Sequence, residues 1–306
     1  GSDSPGAGGL VVDPSAPSDT VCEVLNLSPR PQQPELLILL DRSGSMDFEG
    51  RWDPSVAALS QVAMDLDQQL KLGLAMFPID DGSSNGCMPG DVQITPSLGN
   101  GSAIVDALSR EFARGGTPTS ATLDAAHDFY IDDLLDNNYV ERYVLLVTDG
   151  SPNCGPGGDG DDSFHEPSQA VTGEQIDRLR ASGVRSFVVG YDIRRGSNLG
   201  GVLEDWAQRG DTAPYRIVDD EDSLVRELGE IAGEVVPCSF ALDGEPPDAS
   251  YVRVQIDGQD VPLSEDGWQL REGGVIALVG ASCDLLRDGD SHGFAAQVEC
   301  DVVVIK

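Results

Sequence analysis

The feature that most constrains this chain is an apolar run that ends abruptly in oxygen-bearing side chains. Residues 36–40 are all leucine or isoleucine, and Asp41, Ser43 and Ser45 follow directly. A run without a polar face predicts a parallel strand that is buried on both sides. Open α/β sheets place their sites just beyond the carboxyl ends of such strands. These hard oxygen groups suit Mg²⁺, Mn²⁺ or Ca²⁺ rather than Zn²⁺.

Two later stretches supply further oxygen groups of the same kind. A glycine-rich turn at residues 115–119 contains Thr117, and a second apolar run at residues 143–148 ends in Asp149. The carboxyl ends of parallel strands meet at one edge of a sheet, so these loops are expected to converge with the first. Two carboxylates and three hydroxyls suit an octahedral dication with some bound waters and one open position.

The order of predicted elements indicates an α/β protein with a small appended domain. Between residues 35 and 238, apolar strands alternate with amphipathic helices, which predicts a doubly wound, mainly parallel sheet flanked by helices. Residues 239–306 contain short strands and turns and predict a small β-rich C-terminal domain. Residues 1–34, rich in Gly, Pro, Ser and Asp, are predicted to be a flexible linker.

The chain is strongly acidic, with a net charge of −34. The excess is spread over the whole length rather than gathered in a tail, which argues against nucleic acid and anionic membrane surfaces as partners. A solvated, salt-adapted surface explains it, and a general affinity for divalent cations is the alternative. No apolar stretch approaches the roughly 18 residues that span a membrane.

The six cysteines are widely spaced and form no Cys-x-x-Cys motif. An even number of such cysteines favours disulfides and an oxidising compartment. The pairing we prefer is Cys22–Cys238, Cys87–Cys154 and Cys283–Cys300, which would bracket the large domain, join two loops near the site and staple the small domain. Six buried free thiols in a cytosolic protein are the alternative.

The three oxygen-bearing motifs together resemble the von Willebrand factor type A (vWA) domain family and its metal-ion-dependent adhesion site. The resemblance covers about residues 35–236 and rests on Asp41-x-Ser43-x-Ser45, the turn with Thr117, and Asp149. All five family ligand positions are present in the family's order. Some bacterial secreted members also carry a basic residue followed by Trp-Asp, as at residues 51–53.

The resemblance implies a binding function rather than an enzymatic one. In the family, the two serines and the threonine approach the metal, most often Mg²⁺, while the aspartates often act through water. A Glu or Asp carboxylate from a protein partner then fills the open position. We therefore expect an extracytoplasmic adhesion module, whether secreted, periplasmic or held at the cell surface by an N-terminal signal or lipid anchor.

Three alternatives remain at this stage. The metal could serve only to stabilise a scaffold, the site could be retained without use, or the metal could activate water in a hydrolase. No nucleophile elbow, zinc-protease motif or phosphate-binding loop occurs in the sequence. We therefore expect no enzyme activity.

Overall fold

A computed structural model provides the fold. It describes residues 29–48, 50–80, 86–134, 140–156, 158, 160, 165–235, 237–243, 246, 248–287 and 292–298. The strands, in chain order, are β1 (Arg30–Pro31), β2 (Glu35–Asp41), β3 (Lys71–Phe77), β4 (Ile94–Ser97), β5 (Arg142–Thr148), β6 (Val184–Tyr191), β7 (Arg216–Val218), β8 (Ser239–Ala241), β9 (Val252–Ile256), β10 (Gln259–Val261), β11 (Trp268–Arg271), β12 (Val275–Leu278) and β13 (Phe294–Val298).

Helices separate most strands of the first two thirds of the chain. They are α1 (Gly44–Phe48), α2 (Trp52–Asp65), α3 (Gly101–Leu108), α4 (Thr119–Leu134), α5 (Glu166–Ala181), α6 (Asn198–Arg209), α7 (Glu221–Glu234) and α8 (Ala281–Leu286). In the described part of the chain, none of them has the length and apolar character needed to cross a membrane.

A six-stranded sheet forms the centre of the large domain, in the order β4-β3-β2-β5-β6-β7. All neighbouring strands are parallel except β4, which runs antiparallel to β3 at the edge. Strand β2 lies between β3 and β5, with Leu40 opposite Val147. The predicted doubly wound architecture is therefore confirmed, and Asp41 emerges beside the end of β5.

The sheet is covered on both faces, as the apolar composition of β2 predicts. Leu36, Ile38 and Leu40 belong to one buried cluster, together with residues of α2, α3 and α7. Leu37 and Leu39 belong to the opposite cluster, with residues of α4, α5 and α6. Successive residues of a strand point to opposite faces, so an uninterrupted apolar run requires helices on both sides.

The C-terminal part forms two small antiparallel sheets, as the short strands predicted. Their strand orders are β1-β8-β12-β11 and β10-β9-β13. Side chains from both sheets share one apolar cluster, in which the rings of Phe240 and Phe294 stack 3.8 Å apart. Residues 1–34 were predicted to be a linker, but Arg30 and Pro31 form an edge strand of the first small sheet, paired with β8.

The small sheets lie at the amino ends of the central strands, away from the predicted site. The backbone amide of Gln32 donates to the carbonyl of Ser239, and the Ser239 hydroxyl contacts Glu141, the residue before β5. From α8, Arg287 donates to the Tyr143 hydroxyl at 2.6 Å. The carboxyl end of the sheet is therefore left uncovered by the small domain.

The disulfides confirm one predicted pair and correct the others. Cys87 and Cys154 are bonded, with a Cα–Cα distance of 5.5 Å. Cys238 is bonded to Cys283, so the predicted Cys22–Cys238 and Cys283–Cys300 pairs are wrong. Cys238 precedes β8 and Cys283 lies on α8, and the packing of this helix over the small core brings the two together. Cys22 and Cys300 lie outside the described residues.

Candidate functional site

Asp41 lies at the centre of the predicted site and has no exposed surface. It is the last residue of β2, directly before the turn that leads into α1. Its Oδ1 accepts a hydrogen bond from the Ser43 backbone amide at 2.8 Å, and its Oδ2 accepts one from the Thr148 hydroxyl at 2.6 Å. These two donors fix the orientation of the carboxylate.

Two predicted hydroxyls and the second carboxylate form a chain of contacts beside Asp41. The hydroxyl oxygens of Ser43 and Ser45 lie 3.0 Å apart. Ser45 Oγ donates to Asp149 Oδ1 at 2.8 Å. The turn after β2 and the loop after β5 thus meet through their side chains, and the structure brings together four of the five predicted residues.

Thr117, the fifth predicted residue, is buried in the neighbouring loop. No described residue forms a hydrogen bond with its hydroxyl, but its loop contacts the first motif through the backbone. The Gly44 amide donates to the Gly115 carbonyl at 2.9 Å. Gly115 has a φ of +85°, a conformation that favours glycine and explains this residue in the turn.

The Cys87–Cys154 disulfide holds the Thr117 loop in place. Asn153, next to Cys154, accepts a hydrogen bond from the Thr117 amide at 2.7 Å through its side chain. On the other side, the Gly116 amide donates to the Gly86 carbonyl at 3.1 Å. The bonded cysteines therefore lie next to both segments that contact this loop.

Arg51 is a functional candidate that was not included in the predicted ligand set. Its Nη1 donates to Asp149 Oδ2 at 2.6 Å and its Nη2 lies 3.3 Å from Asp192 Oδ2. The sequence did mark this residue, because Arg51 opens the Arg-Trp-Asp stretch that resembles one in some secreted members of the vWA family. Its side chain balances part of the negative charge of the site.

Burial raises the pKa of both carboxyl groups of the site. Burial raises the pKa of Asp41 to about 7, and the charge of Asp149 adds to this shift. Burial also raises the pKa of Asp149, against the hydrogen bonds from Ser45 and Arg51. A bound cation would favour the ionised form of both groups, since opposite charge lowers a carboxyl pKa.

The donor set fits a hard divalent cation. It consists of oxygen atoms only, from two buried carboxylates and from hydroxyl groups, which is the chemistry of Mg²⁺ and related ions. No group of three or more His, Cys, Asp or Glu side chains suited to a metal occurs in the described part of the chain. Hydroxyl oxygens and water must therefore complete any coordination shell here.

Comparison with known families identifies the large domain. The family model described as von Willebrand factor type A domain matches residues 35–230. The chain therefore belongs to the vWA domain family, as the three motifs indicated. No curated protein sequence matches the chain.

Solved structures with the same fold include an adhesin. The pilus adhesin SpaC of Lactobacillus rhamnosus GG matches 88% of this chain and 40% of its own length, at 16% identity and a TM-score of 0.53. A von Willebrand factor type A protein of Catenulispora acidiphila matches 88% of this chain and 58% of its own, at 14% identity and a TM-score of 0.48.

A third similar structure is the manganese-loaded TRAP protein of Plasmodium vivax. It matches 91% of this chain and 100% of its own, at 16% identity and a TM-score of 0.46. At 16% identity the likeness to SpaC concerns the fold alone. The chain spans about two fifths of the length of the SpaC adhesin.

Proposed function

We propose that this protein is a metal-dependent protein-binding module whose site is formed by Asp41, Ser43, Ser45, Thr117 and Asp149. The observation that carries the proposal is the pairing of two buried carboxylates with serine hydroxyls at the uncovered end of the sheet. A bound Mg²⁺ or Mn²⁺ would supply an electrophilic position for the carboxylate of an Asp or Glu side chain from a protein partner.

We assign each residue of the site a role from its chemistry and its position. The Ser43, Ser45 and Thr117 hydroxyls are neutral donors, so they would leave much of the charge of a cation unneutralised. Asp41, oriented by Thr148, and Asp149, oriented by Arg51, supply the negative charge. Because Arg51 offsets part of the charge of Asp149, a cation held in this way would retain attraction for an anionic partner group.

The disulfides support an extracytoplasmic location for this module. Cys87–Cys154 and Cys238–Cys283 are of the kind that forms and persists in oxidising compartments. We propose that the protein is secreted, periplasmic or held at the cell surface, and that it belongs with the bacterial secreted vWA proteins. Adhesion to another protein is the function that fits this location and site.

Calorimetric titration of Mg²⁺, Mn²⁺ and Ca²⁺ into chelator-stripped protein tests the metal site. Asp41→Ala should lower the affinity at least about 100-fold, because it removes a buried charged ligand. Asp47→Ala is the matched control: this acid lies on α1, is exposed and is absent from the proposed set, so its loss should leave the affinity nearly unchanged. Equal affinities of the wild type and Asp41→Ala would refute the site.

A pull-down from extracytoplasmic extracts, with and without chelator, tests the binding role. Partner capture should require the metal and fail in Asp41→Ala while the circular dichroism spectrum is retained. Capture that is unchanged by chelator would refute metal-dependent binding. A metal that raises the melting temperature without any metal-dependent capture would support a structural role instead.

A further inference from the structure

Beside the proposed metal site lies a cavity lined in part by two arginines, which is unusual in so acidic a protein. It has a volume of about 210 Å³, and Arg42 and Arg114 contribute to its lining. The backbone amide of Arg114 donates to the carbonyl of Arg42 at 2.6 Å, so the two arginines are held side by side. The chain as a whole carries 53 acidic and 19 basic residues, which makes such a pair a distinctive local feature.

Arg42 is a buried cation with unused hydrogen-bonding capacity. Its side chain is 4% exposed. Its Nε donates to the Pro78 carbonyl, and its Nη1 donates to Glu111 and to the Phe112 carbonyl. Among the described residues, its Nη2 has no hydrogen-bond partner, and Arg42 contributes to the cavity lining. A guanidinium offers five donors in a planar fork that matches a carboxylate.

Arg114 is positioned by an aromatic ring and is accessible. Its guanidinium lies 4.4 Å from the centre of the Phe112 ring, an arrangement typical of a cation–π contact. It forms an ion pair with Asp80, the only acidic residue among the described lining residues. Both side chains are more than two fifths exposed. Exposed pairs of this kind contribute little free energy, so an incoming carboxylate can compete for Arg114.

The cavity adjoins the proposed metal site through a single turn. Gly115 lines the cavity, and its carbonyl accepts the hydrogen bond from Gly44, which lies between the two site serines. Arg42 itself lies between Asp41 and Ser43 in the sequence. A partner segment bound at the metal site could therefore extend across this turn to the cavity.

We propose that this cavity binds a second carboxylate of the same protein partner, one that flanks the carboxylate at the metal. The partner segment would then carry two acidic side chains rather than one. This inference rests on the proposed function for the metal-bound carboxylate, whereas the arginine cavity itself requires no metal. It also explains how a protein with so negative a surface accepts an acidic segment: the two guanidinium groups provide local positive charge.

The probes for the test are acetate and the dicarboxylates succinate, glutarate, adipate, pimelate and suberate. In the presence of Mg²⁺, at least one dicarboxylate should bind about tenfold more tightly than acetate, because its second carboxylate meets a site at high effective concentration. Arg114→Gln should abolish this gain and leave acetate binding unchanged. Arg110→Gln should retain the gain, because Arg110 makes the same charge change from an exposed ion pair outside the cavity lining.

Nuclear magnetic resonance of the arginine Nε–Hε groups separates the two proposals. Dicarboxylates should shift the Arg42 or Arg114 resonance in metal-free protein as well. Equal affinity for acetate and all dicarboxylates, with Mg²⁺-dependent acetate binding intact, would overturn the cavity and leave the proposed function standing. If acetate binding shows no Mg²⁺ dependence, the proposed function fails. The arginine resonance shifts in metal-free protein then decide alone whether the cavity binds a carboxylate, and the absence of these shifts would overturn that proposal.

Discussion

The two ends of the central sheet hold buried carboxylates in different ways. At the amino end, Glu35 lies 3.2 Å from Lys71 and 3.4 Å from Arg142, so two cations surround one acid. At the carboxyl end, Asp41 receives hydrogen bonds from a hydroxyl and an amide but forms no ion pair with any described residue. The charge of Glu35 is therefore neutralised by the protein's own cations, at the end of the sheet where the small domain packs. The carboxyl end keeps an excess of negative charge that suits an added cation.

The two disulfides offer the most direct way to break this comparison, since one lies near each end. Replacing both Cys87 and Cys154 by serine should lower the affinity for Mg²⁺ tenfold or more, because the two segments that hold the Thr117 loop lose the cross-link between them. Replacing Cys238 and Cys283 by serine should leave that affinity unchanged. Either double variant should lose about 3 kcal/mol of unfolding free energy. Calorimetry and denaturant unfolding measure the two effects separately.

Equal Mg²⁺ affinities in the two double-serine variants would contradict the assignment of the first disulfide to the site. A loss of affinity in the second variant would show that the two ends communicate through the sheet. The comparison is controlled for stability, because both variants lose one cross-link.

The ionisation of Asp41 sharpens the comparison at the carboxyl end. Its pKa, raised to about 7 by burial and by Asp149, means that the proton competes with the cation below neutral pH. The apparent Mg²⁺ affinity should therefore be about tenfold lower at pH 6 than at pH 8, with proton release on binding. Calorimetry in buffers of different ionisation enthalpy measures both. An affinity that is constant over this range, in protein shown to be folded, would contradict the prediction.

Glu141 provides the corresponding test at the amino end. Burial raises its pKa, and its Oε2 is buried without a hydrogen-bond partner in the described structure. Because its pKa is higher when folded, its stabilising contribution is greatest at low pH and is lost as pH rises through the folded pKa. Glu141→Gln should therefore stabilise the protein by about 1 kcal/mol near pH 7.5. This gain should shrink towards pH 4.

Denaturant unfolding across this pH range measures the effect, with the exposed Glu230→Gln as control. Mg²⁺ affinity should be the same in both variants, since neither residue lies near the site. A Glu141→Gln variant that is less stable than the wild type at neutral pH would show that the ionised carboxylate contributes favourably, through Arg287 or Ser239.

The sequence was sufficient for the features that depend on local pattern. The apolar runs of β2 and β5 predicted both faces of the sheet, and Asp41, Ser43, Ser45 and Asp149 meet because their loops follow adjacent parallel strands. Their coordination of a metal remains a prediction. The family assignment followed from the order of the motifs rather than from any one of them.

Features that depend on packing between distant parts of the chain could not be predicted from the sequence. Cys283 could pair with Cys238 or Cys300 on spacing alone, and the position of α8 over the small core decides between them. Asp53 followed by Pro54 is a typical helix start, but α2 begins at Trp52, with Arg51 in the capping position. Arg51 instead directs its side chain to Asp149, and the Arg-Trp-Asp stretch marked this arginine without indicating so distant a partner.

The placement of β1 beside β8 has a mechanical consequence. The chain enters the large domain at β2 and leaves it after α7, and both connections reach the same small sheet. A pulling force between that sheet and a partner held at the carboxyl end would enter the large domain at β2 and run along this strand. Parallel strands loaded lengthwise share the tension among many evenly spaced hydrogen bonds at once. Under such lengthwise force many hydrogen bonds must break together. The connection should therefore last longer than one in which the hydrogen bonds break one after another.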